Sequence, residues 1–328
     1  MKILIVGYGS IGRRHTENLI KLGFFDLIVC TKNKNIKKIK NPKIKIFESI
    51  DLALNEKPDV TFICNETSLH VKTAIKVANS GSHIFIEKPI SHSLSNLKKL
   101  TEIITRKKLV SMIGCNMRFH DGIKMIKKLI DKNEIGRIFS VKVENGSFLP
   151  DWHPWEDYRI SYASNKNLGG GVVLTQIHEI DYLYWFFGKV NEVFSYSEKL
   201  SNLELDVEDY SGILIKFNKK IIGEIHLDYF QKPSVRTCKI IGTKGEIIWD
   251  WNNNHLQIYK NHTKKFVTKI FEEKYDRNKM FLEELKYFFK CINEQQIPMN
   301  SIYESLEIQK IVIAIKKSSN SGLPIKLF

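Results

Sequence analysis

The sequence predicts an α/β protein of two domains, a doubly wound parallel sheet followed by an α+β domain with a large open, mainly antiparallel sheet. Three observations support this prediction. The chain has 328 residues, more than a single core usually holds. Strand-like runs alternate with helical spacing over its first third, which is typical of parallel sheets covered on both faces. Later runs are β-branched and aromatic with short turns between them, which indicates antiparallel strands.

The first domain is assigned to residues 1–118, where strands and helices alternate. Its predicted strands are Lys2–Val6, Leu27–Cys30, Asp59–Cys64, His83–Ile86 and Leu109–Cys115. Its predicted helices are Ile11–Leu22, Ser68–Ser80 and Leu94–Arg106. Parallel strands need such crossover helices, so this order favours a Rossmann-type sheet.

The second domain is assigned to residues 119–328. Its predicted helices are Gly122–Lys132, Val172–Phe187, Asn278–Glu294 and Ile302–Ser318. Its predicted strands are Ile138–Glu144, Glu192–Tyr196, Tyr210–Phe217, Ile221–Phe230, Arg236–Gly242, Glu246–Trp251 and Leu256–Tyr259.

The formal net charge of +15 comes mostly from dispersed lysines, whereas nucleic-acid readers cluster arginine and aromatic residues. We therefore expect no nucleic-acid partner and interpret the run 32–45 as a solvated surface. No segment approaches the roughly 18 apolar residues of a membrane span. The apolar stretch at the N-terminus is shorter than the one that a signal peptide needs. We expect a cytoplasmic protein without a membrane partner. The five scattered cysteines lack metal-ligand spacing, so no metal site is expected.

A glycine-rich motif, Gly7-Tyr8-Gly9-Ser10-Ile11-Gly12, follows the first strand and opens the first helix. This context is that of a dinucleotide-binding turn, where backbone N–H groups at the helix N-terminus bind the pyrophosphate. The alternative is a plain glycine turn.

The end of the second strand bears on the choice between NAD and NADP. NAD-binding folds usually have an acidic residue there for the ribose 2′-hydroxyl, but this chain has Cys30-Thr31-Lys32-Asn33-Lys34. Thr31 with Lys32 or Lys34 can bind a 2′-phosphate, and Arg13 and Arg14 lie on the glycine side. The sequence thus leans towards NADP, the alternative being that these lysines are ordinary surface residues.

Two residues are candidates for proton transfer. Lys88, in Glu87-Lys88-Pro89, follows the fourth strand at the edge where such sheets bind ligands. His178 shares a predicted helical stripe with Thr175, Asp181 and Tyr182, and Asp181 is placed to hold its tautomer. The alternatives are a surface lysine and a histidine packed at the domain junction.

These motifs, together with Asn116-Met117-Arg118-Phe119 and Gly169-Gly170-Gly171, resemble the Gfo/Idh/MocA family, the glucose–fructose oxidoreductase and inositol dehydrogenase group. The resemblance covers essentially the whole chain. It implies a Rossmann domain, an open-sheet domain, and oxidation or reduction of a sugar or cyclitol carbon, with Lys88 as the catalytic lysine and His178 as its partner. Many family members have an Asp three or four residues before this His, where this chain has Thr175 and Leu174.

The candidate sites combine the motifs with this resemblance. The cofactor-binding candidates are Gly7, Tyr8, Gly9, Ser10, Ile11, Gly12, Arg13, Thr31, Lys32, Asn65, His70, Glu87 and Lys88. The substrate-binding candidates are Asn116, Arg118, Trp152, His153, Trp155, Tyr158, Arg159, Thr175 and His178, with Arg236 as a further possibility.

The aromatic loop 150–159 favours a sugar substrate, because aromatic rings pack on sugar faces while polar groups bind hydroxyls. Similar loops occur in family members of surface polysaccharide and sugar-nucleotide pathways; the alternative is an aromatic plug that seals the domain interface. We therefore expect a carbohydrate or sugar-nucleotide substrate.

Two alternatives to net redox chemistry stay open, namely a sugar transformation assisted by bound NAD (epimerisation, elimination or glycoside cleavage) and a dinucleotide-sensing protein.

In the second domain, apolar residues recur at every second position, as in Ile213, Ile215, Ile225 and Leu227. An open sheet with a free face then predicts a homodimer or homotetramer that forms through that sheet, as the family commonly shows.

Overall fold

A computed structural model describes residues 1–32, 44–218, 220–271 and 275–327. The chain forms two compact units. One comprises residues 1–116 with 278–309, and the other comprises residues 117–277 with 310–328. The contiguous division that we drew after residue 118 did not anticipate the grouping of residues 278–309 with the N-terminal unit.

The first unit contains a six-stranded parallel sheet with the strand order β3-β2-β1-β4-β5-β6. Its elements up to residue 116 are β1 (Ile3–Val6), α1 (Ser10–Lys21), β2 (Leu27–Cys30), β3 (Lys45–Phe47), α2 (Ile50–Asn55), β4 (Val60–Ile63), α3 (His70–Ser80), β5 (His83–Glu87), α4 (Leu97–Arg106) and β6 (Ser111–Gly114). Every residue of β1, β2 and β4 is buried, as expected for parallel strands covered on both faces. The predicted doubly wound sheet is confirmed, and β3 and α2 are additions to it.

The second unit contains a nine-stranded sheet that is mostly antiparallel, and this prediction is confirmed as well. The remaining elements of the chain are α5 (Asp121–Asp131), β7 (Ile138–Gly146), α6 (Val172–Thr175), α7 (His178–Phe187), β8 (Val190–Glu198), β9 (Tyr210–Phe217), β10 (Ile222–Asp228), β11 (Val235–Gly242), β12 (Gly245–Asp250), β13 (His255–Lys260), β14 (Lys265–Ile270), α8 (Asn278–Asn293), α9 (Ile302–Ser321) and β15 (Ile325–Lys326). The strand order is β14-β13-β12-β11-β7-β10-β9-β8-β15, and β7 pairs with β10 in parallel.

The two faces of this sheet differ in burial. Ile213, Ile215, Ile225 and Leu227 are buried, and Ser195 on the same face donates to the Ile315 carbonyl of α9 at 2.7 Å. The alternating apolar positions that suggested a free face therefore lie on the helix-covered side. The opposite side, which we call the open face, carries Lys142, Tyr196, Leu214, Lys216, Ile222, Glu224, Lys239 and Ile248.

The segment 278–309 completes the core of the first unit. Phe289 stacks on Phe24 with ring centroids 4.1 Å apart, and Phe288 packs edge-on against Phe85 at 5.4 Å. The N–H of Ile113, in β6, also donates to the Asn300 carbonyl at 2.9 Å. Aromatic burial of this kind stabilises a core strongly, so the segment 278–309 is part of the dinucleotide-type fold.

The five cysteines are buried thiols that form no disulfide. Within the described ranges, no helix is long and apolar enough to cross a membrane. The same ranges contain no cluster of three or more His, Cys, Asp or Glu side chains arranged to hold a metal ion.

Candidate functional site

The carboxyl ends of neighbouring parallel strands bring the first group of candidates together. In the sheet order, β1, β4 and β5 lie side by side. Gly7 and Lys88 directly follow β1 and β5, and Asn65 is the second residue after β4. Parallel strands end at the same edge of a sheet, and ligands of doubly wound folds bind there. The glycine motif and Lys88 therefore share one edge of the first unit.

The glycine motif allows close approach of the backbone at two positions and leaves open space at a third. Gly7 has φ +91°, a conformation that favours glycine, and a Cβ at Gly12 would lie 2.1 Å from the Gly7 carbonyl oxygen. A Cβ at Gly9, by contrast, would meet none of the described atoms within 4 Å. Since Gly9 precedes the N-terminus of the 12-residue helix α1, its open side lies where backbone N–H groups attract an anion. This cradle fits a dinucleotide pyrophosphate.

The residues expected to select the cofactor lie around the end of β2. Thr31 is buried and its N–H donates to the Phe47 carbonyl at 2.9 Å, whereas Lys32 is exposed. Arg13 is half-buried on α1. Arg14 instead lies 4.7 Å from the ring centroid of Phe281, which engages its guanidinium. Lys34 falls outside the described residues.

Tyr8, Ser10 and Ile11 complete the turn, and all three are partly or fully exposed. Burial of the Tyr8 ring and the nearby charge of Glu17 raise the pKa of its phenol, although a hydrogen bond with Thr16 acts in the opposite direction. Tyr8 is therefore a neutral side chain at the mouth of the cradle.

Two expected cofactor ligands have other partners in the structure. His70 is 1% exposed; its Nδ1 lies 2.8 Å from the Pro89 carbonyl oxygen and its Nε2 lies 2.9 Å from that of Asn65. Glu87 is buried as well, with Oε1 2.6 Å from Nε2 of His15. His70 and Glu87 stay cofactor-binding predictions by position, while their side chains contact other residues of the protein. The Asn65 amide donates to Thr73 Oγ1 at 3.1 Å.

The helix that carries His178 differs from the prediction. The single predicted helix over residues 172–187 is divided into α6 and α7, with Gln176 at φ −98° and ψ 34° between them. The Gln176 side chain donates to the Asp228 carbonyl at 3.0 Å, which fixes this break. His178 is therefore the first residue of α7, and Thr175 does not share its helical face.

Asp181 has a different partner from the one expected. Its carboxylate accepts two hydrogen bonds of 2.8 Å, from Nε and Nη2 of Arg118, and both side chains are fully buried. Our expectations that Asp181 orients His178 and that Arg118 lines a substrate pocket are thus replaced by a buried bidentate ion pair. Asn116, also expected in a pocket wall, is 9% exposed.

A second ion pair also involves α7. Arg236 lies 2.6 Å from Oε1 of Glu179, the residue after His178, and the Glu179 side chain is fully buried. The further possibility that Arg236 binds substrate is not supported, because its guanidinium is engaged by this carboxylate. His178 is therefore followed on α7 by two anchored carboxylates.

The aromatic loop contains anchored and exposed residues. Trp152 donates from Nε1 to Ser147 Oγ at 2.9 Å and packs edge-on against Tyr229 at 5.4 Å. Arg159 is held by Asp157 at 2.8 Å, and this lowers the pKa of the carboxyl. Trp155 is 71% exposed, with the His153 ring 5.3 Å away.

Tyr229 is a site residue that the sequence did not indicate. It directly follows β10 and is fully buried, and its hydroxyl lies 3.4 Å from the Ala163 carbonyl oxygen. Burial raises the pKa of this phenol well above its usual value, and a hydrogen bond with Thr175 partly offsets this. Tyr229 thus connects Thr175 with Trp152 and the aromatic loop. Tyr158, also in the loop, accepts the Glu204 N–H at 3.1 Å.

Comparisons with known proteins cover nearly the whole chain. Residues 1–115 match the family model described as "Oxidoreductase family, NAD-binding Rossmann fold". Residues 127–327 match the model described as "Oxidoreductase family, C-terminal alpha/beta domain".

Relatives of known sequence are similar over their full length. Myo-inositol 2-dehydrogenase of Thermotoga maritima is 24% identical, with 100% of this chain and 98% of the relative covered. Scyllo-inositol 2-dehydrogenase (NAD(+)) of Bacillus subtilis is 23% identical, with 100% and 96% covered. Among solved structures, levoglucosan dehydrogenase in complex with NADH and levoglucosan has a TM-score of 0.88 at 19% identity, covering 99% of each chain. At that identity the structural likeness concerns the fold.

Proposed function

Because the chain belongs to the Gfo/Idh/MocA oxidoreductase family, we propose that it transfers a hydride between a nicotinamide cofactor and a hydroxyl-bearing carbon of a carbohydrate or cyclitol. The observation that carries this proposal is the shared sheet edge of the first unit. There the glycine cradle after β1 lies two strands from Lys88 after β5. The names of the inositol relatives support a polyhydroxylated substrate.

In the oxidative direction the carbon loses a hydride and its hydroxyl loses a proton, which leaves a carbonyl. The bound nicotinamide supplies the hydride acceptor. The amine of Lys88 takes the hydroxyl proton, and His178, which the family resemblance pairs with it, is the second candidate for this transfer. In the reductive direction the proton returns to the carbonyl oxygen.

The aromatic loop would hold the sugar. Trp155 offers an exposed ring face, and the anchored Trp152 and Tyr229 fix the base of the loop. Aromatic faces bury the apolar side of a sugar ring. The link to polysaccharide synthesis has no support in the named relatives, so we propose carbohydrate as the substrate class without a pathway.

The test combines cofactor binding with a substrate panel. Purified protein is titrated with NADH and NADPH by fluorescence, and sugars, inositols and sugar nucleotides are then assayed by nicotinamide absorbance. Binding with turnover on one class supports the proposal. Binding without any absorbance change, but with substrate conversion detected by NMR, would instead indicate a non-redox reaction that uses bound NAD. Absence of cofactor binding would contradict both.

We further propose that Lys32 favours NADPH over NADH. Its ammonium is exposed directly after β2, near the position of a ribose 2′-phosphate in this fold. Replacing Lys32→Glu should raise the Kd of NADPH about tenfold, the effect of one lost charged hydrogen bond, with little change for NADH. The matched control is Lys21→Glu, an equal charge change at the far end of α1. Equal shifts for both cofactors would argue against a 2′-phosphate contact.

We also propose that the open face forms a homodimer or homotetramer. It combines exposed apolar side chains, with Tyr196 58%, Leu214 50% and Ile222 44% exposed, with both signs of charge. Replacing Leu214→Glu puts a charge into this interface, so light scattering after gel filtration should show a smaller particle. Leu52→Glu, which changes an exposed leucine of α2, should leave the mass unchanged. A wild-type monomer, or an unchanged mass for Leu214→Glu, would refute the interface.

A further inference from the structure

Two buried histidines hold the residues on either side of Lys88. His15 contacts Glu87, the residue before it, and His70 contacts Pro89, the residue after it. Both histidines come from helices that begin at the ligand-binding edge of the sheet, α1 and α3. The residues directly before and after Lys88 are therefore each in contact with a buried imidazole.

The contact before Lys88 runs through a buried carboxylate. Nε2 of His15 lies 2.6 Å from Oε1 of Glu87, and Oε2 of Glu87 accepts the Lys88 N–H at 3.3 Å. The His15 ring is fully buried, with Phe62 and Phe85 at centroid distances of 5.4 and 5.2 Å. A buried carboxylate in an aromatic shell must be hydrogen-bonded, so His15 determines where this carboxylate lies.

Gly114 on β6 has no side chain, and this leaves room for the Glu87 carboxylate. A Cβ at Gly114 would lie 3.1 Å from Oε1 of Glu87. The charge of Glu87 also reaches its surroundings, since it adds to burial in raising the pKa of the Cys64 thiol. Glu87 is thus a buried carboxyl side chain held in place by its neighbours rather than a mobile surface acid.

The contact after Lys88 joins two strand ends. The His70 ring lies 2.8 Å from the Pro89 oxygen and 2.9 Å from the Asn65 oxygen, and it is 1% exposed. A neutral ring donates to one of these carbonyls, and a doubly protonated ring donates to both. In either form His70 ties the loop after β5 to the loop after β4.

We propose that His15 and His70 are positioning residues that hold the backbone of Lys88 so that its amine is aimed at the reacting oxygen. This inference rests on the proposed function of Lys88 as the proton-transfer group. Neither histidine is assigned a proton-transfer step. Displacing a reacting group by about 1 Å costs on the order of 100-fold in rate, so small backbone shifts at residues 87 and 89 are sufficient.

Two amide variants of His15 separate positioning from packing. Gln places its amide nitrogen near the position of Nε2 and can still reach Glu87, whereas the amide of Asn is too short to do so. We expect His15→Asn to lower kcat about 100-fold, with His15→Gln restoring it to within about tenfold of wild type. KM and the Kd of NADH should change little in both variants. His83→Gln is the control, because it removes a half-buried histidine from the opposite end of the same strand, β5.

The same comparison applies to His70. The His70→Leu variant removes both carbonyl contacts and should lower kcat with little change in KM. Equal losses in His15→Asn, His15→Gln and His83→Gln would overturn the proposal, since they would show a general loss of structure. A lost NADH affinity with unchanged kcat would overturn it as well, because the histidines would then shape the cofactor cradle.

A measurement without substrate keeps this test separate from the proposed function. Lysine amines are reductively methylated with ¹³C-formaldehyde, and the Lys88 resonance is identified by its loss in Lys88→Arg. Positioning predicts that the Lys88 resonance shifts in His15→Asn and returns towards wild type in His15→Gln. An unshifted resonance in His15→Asn and His70→Leu would refute the proposal. A shifted resonance in a protein that converts no sugar would refute only the proposed function.

Discussion

Replacing Lys88 with alanine is expected to lower kcat roughly 100- to 10,000-fold while the Kd for the nicotinamide cofactor stays close to wild type. General acid–base groups contribute rate factors of that size, and the glycine cradle that binds the pyrophosphate is untouched by the change. Steady-state kinetics on the substrate found in the panel and fluorescence titration with NADH measure the two quantities.

Two variants accompany the alanine substitution. Lys88→Arg retains the positive charge but stays protonated, so it should be nearly as inactive as Lys88→Ala. Lys99→Ala removes an exposed lysine of α4 and should retain full activity. Normal turnover by Lys88→Ala would exclude this lysine from the reaction, whereas parallel loss of cofactor binding would indicate that Lys88 serves binding instead.

The second large effect concerns stability. Removing one partner from the fully buried Arg118–Asp181 pair leaves an unpaired charge in the core, which costs about 3–5 kcal/mol. For Arg118→Met we therefore expect Tm to fall by roughly 10 °C. Thermal unfolding followed by circular dichroism tests this.

The double variant Arg118→Met/Asp181→Leu should recover much of the loss, because both charges are then gone. Arg159→Met is the matched control. It breaks the exposed pair with Asp157, so the melting temperature should barely change. An unchanged melting temperature for Arg118→Met would show that the pair is not stabilising. A double variant as unstable as the single would instead assign the loss to other contacts, such as that with Trp185.

Much of the fold could be predicted from local patterns. Strands β1, β2 and β4 are short apolar runs, and residues with helical spacing lie between them in the sequence. This alternation of strands and helices predicts a parallel sheet. The glycine motif predicted the position of the cradle, because the backbone conformation of this turn requires glycine. Strand β3 and helix α2, which have only three and six residues, were missed because so short a pattern is indistinguishable from a loop.

The site residues were less predictable where their partners are distant in sequence. Arg118 was expected to line a pocket, but it is buried and pairs with the carboxylate of Asp181, 63 positions later. Glu87 was a cofactor-binding candidate, and the side chain that its carboxylate contacts, His15, lies 72 positions earlier. The break before His178 likewise depends on the Gln176 side chain and the backbone of Asp228. Long-range hydrogen bonds of this kind leave no periodic signal in the sequence.

The return of residues 278–309 to the first unit bears on how the chain acquires its structure during synthesis. At about 5–20 residues per second, this segment leaves the ribosome roughly 10–40 s after the parallel sheet has been made. Until then Phe24 and Phe85 lack the rings of Phe289 and Phe288 that cover them. The nascent N-terminal portion therefore exposes an aromatic surface of the kind that chaperones bind, and a fragment truncated near residue 118 would keep that surface permanently.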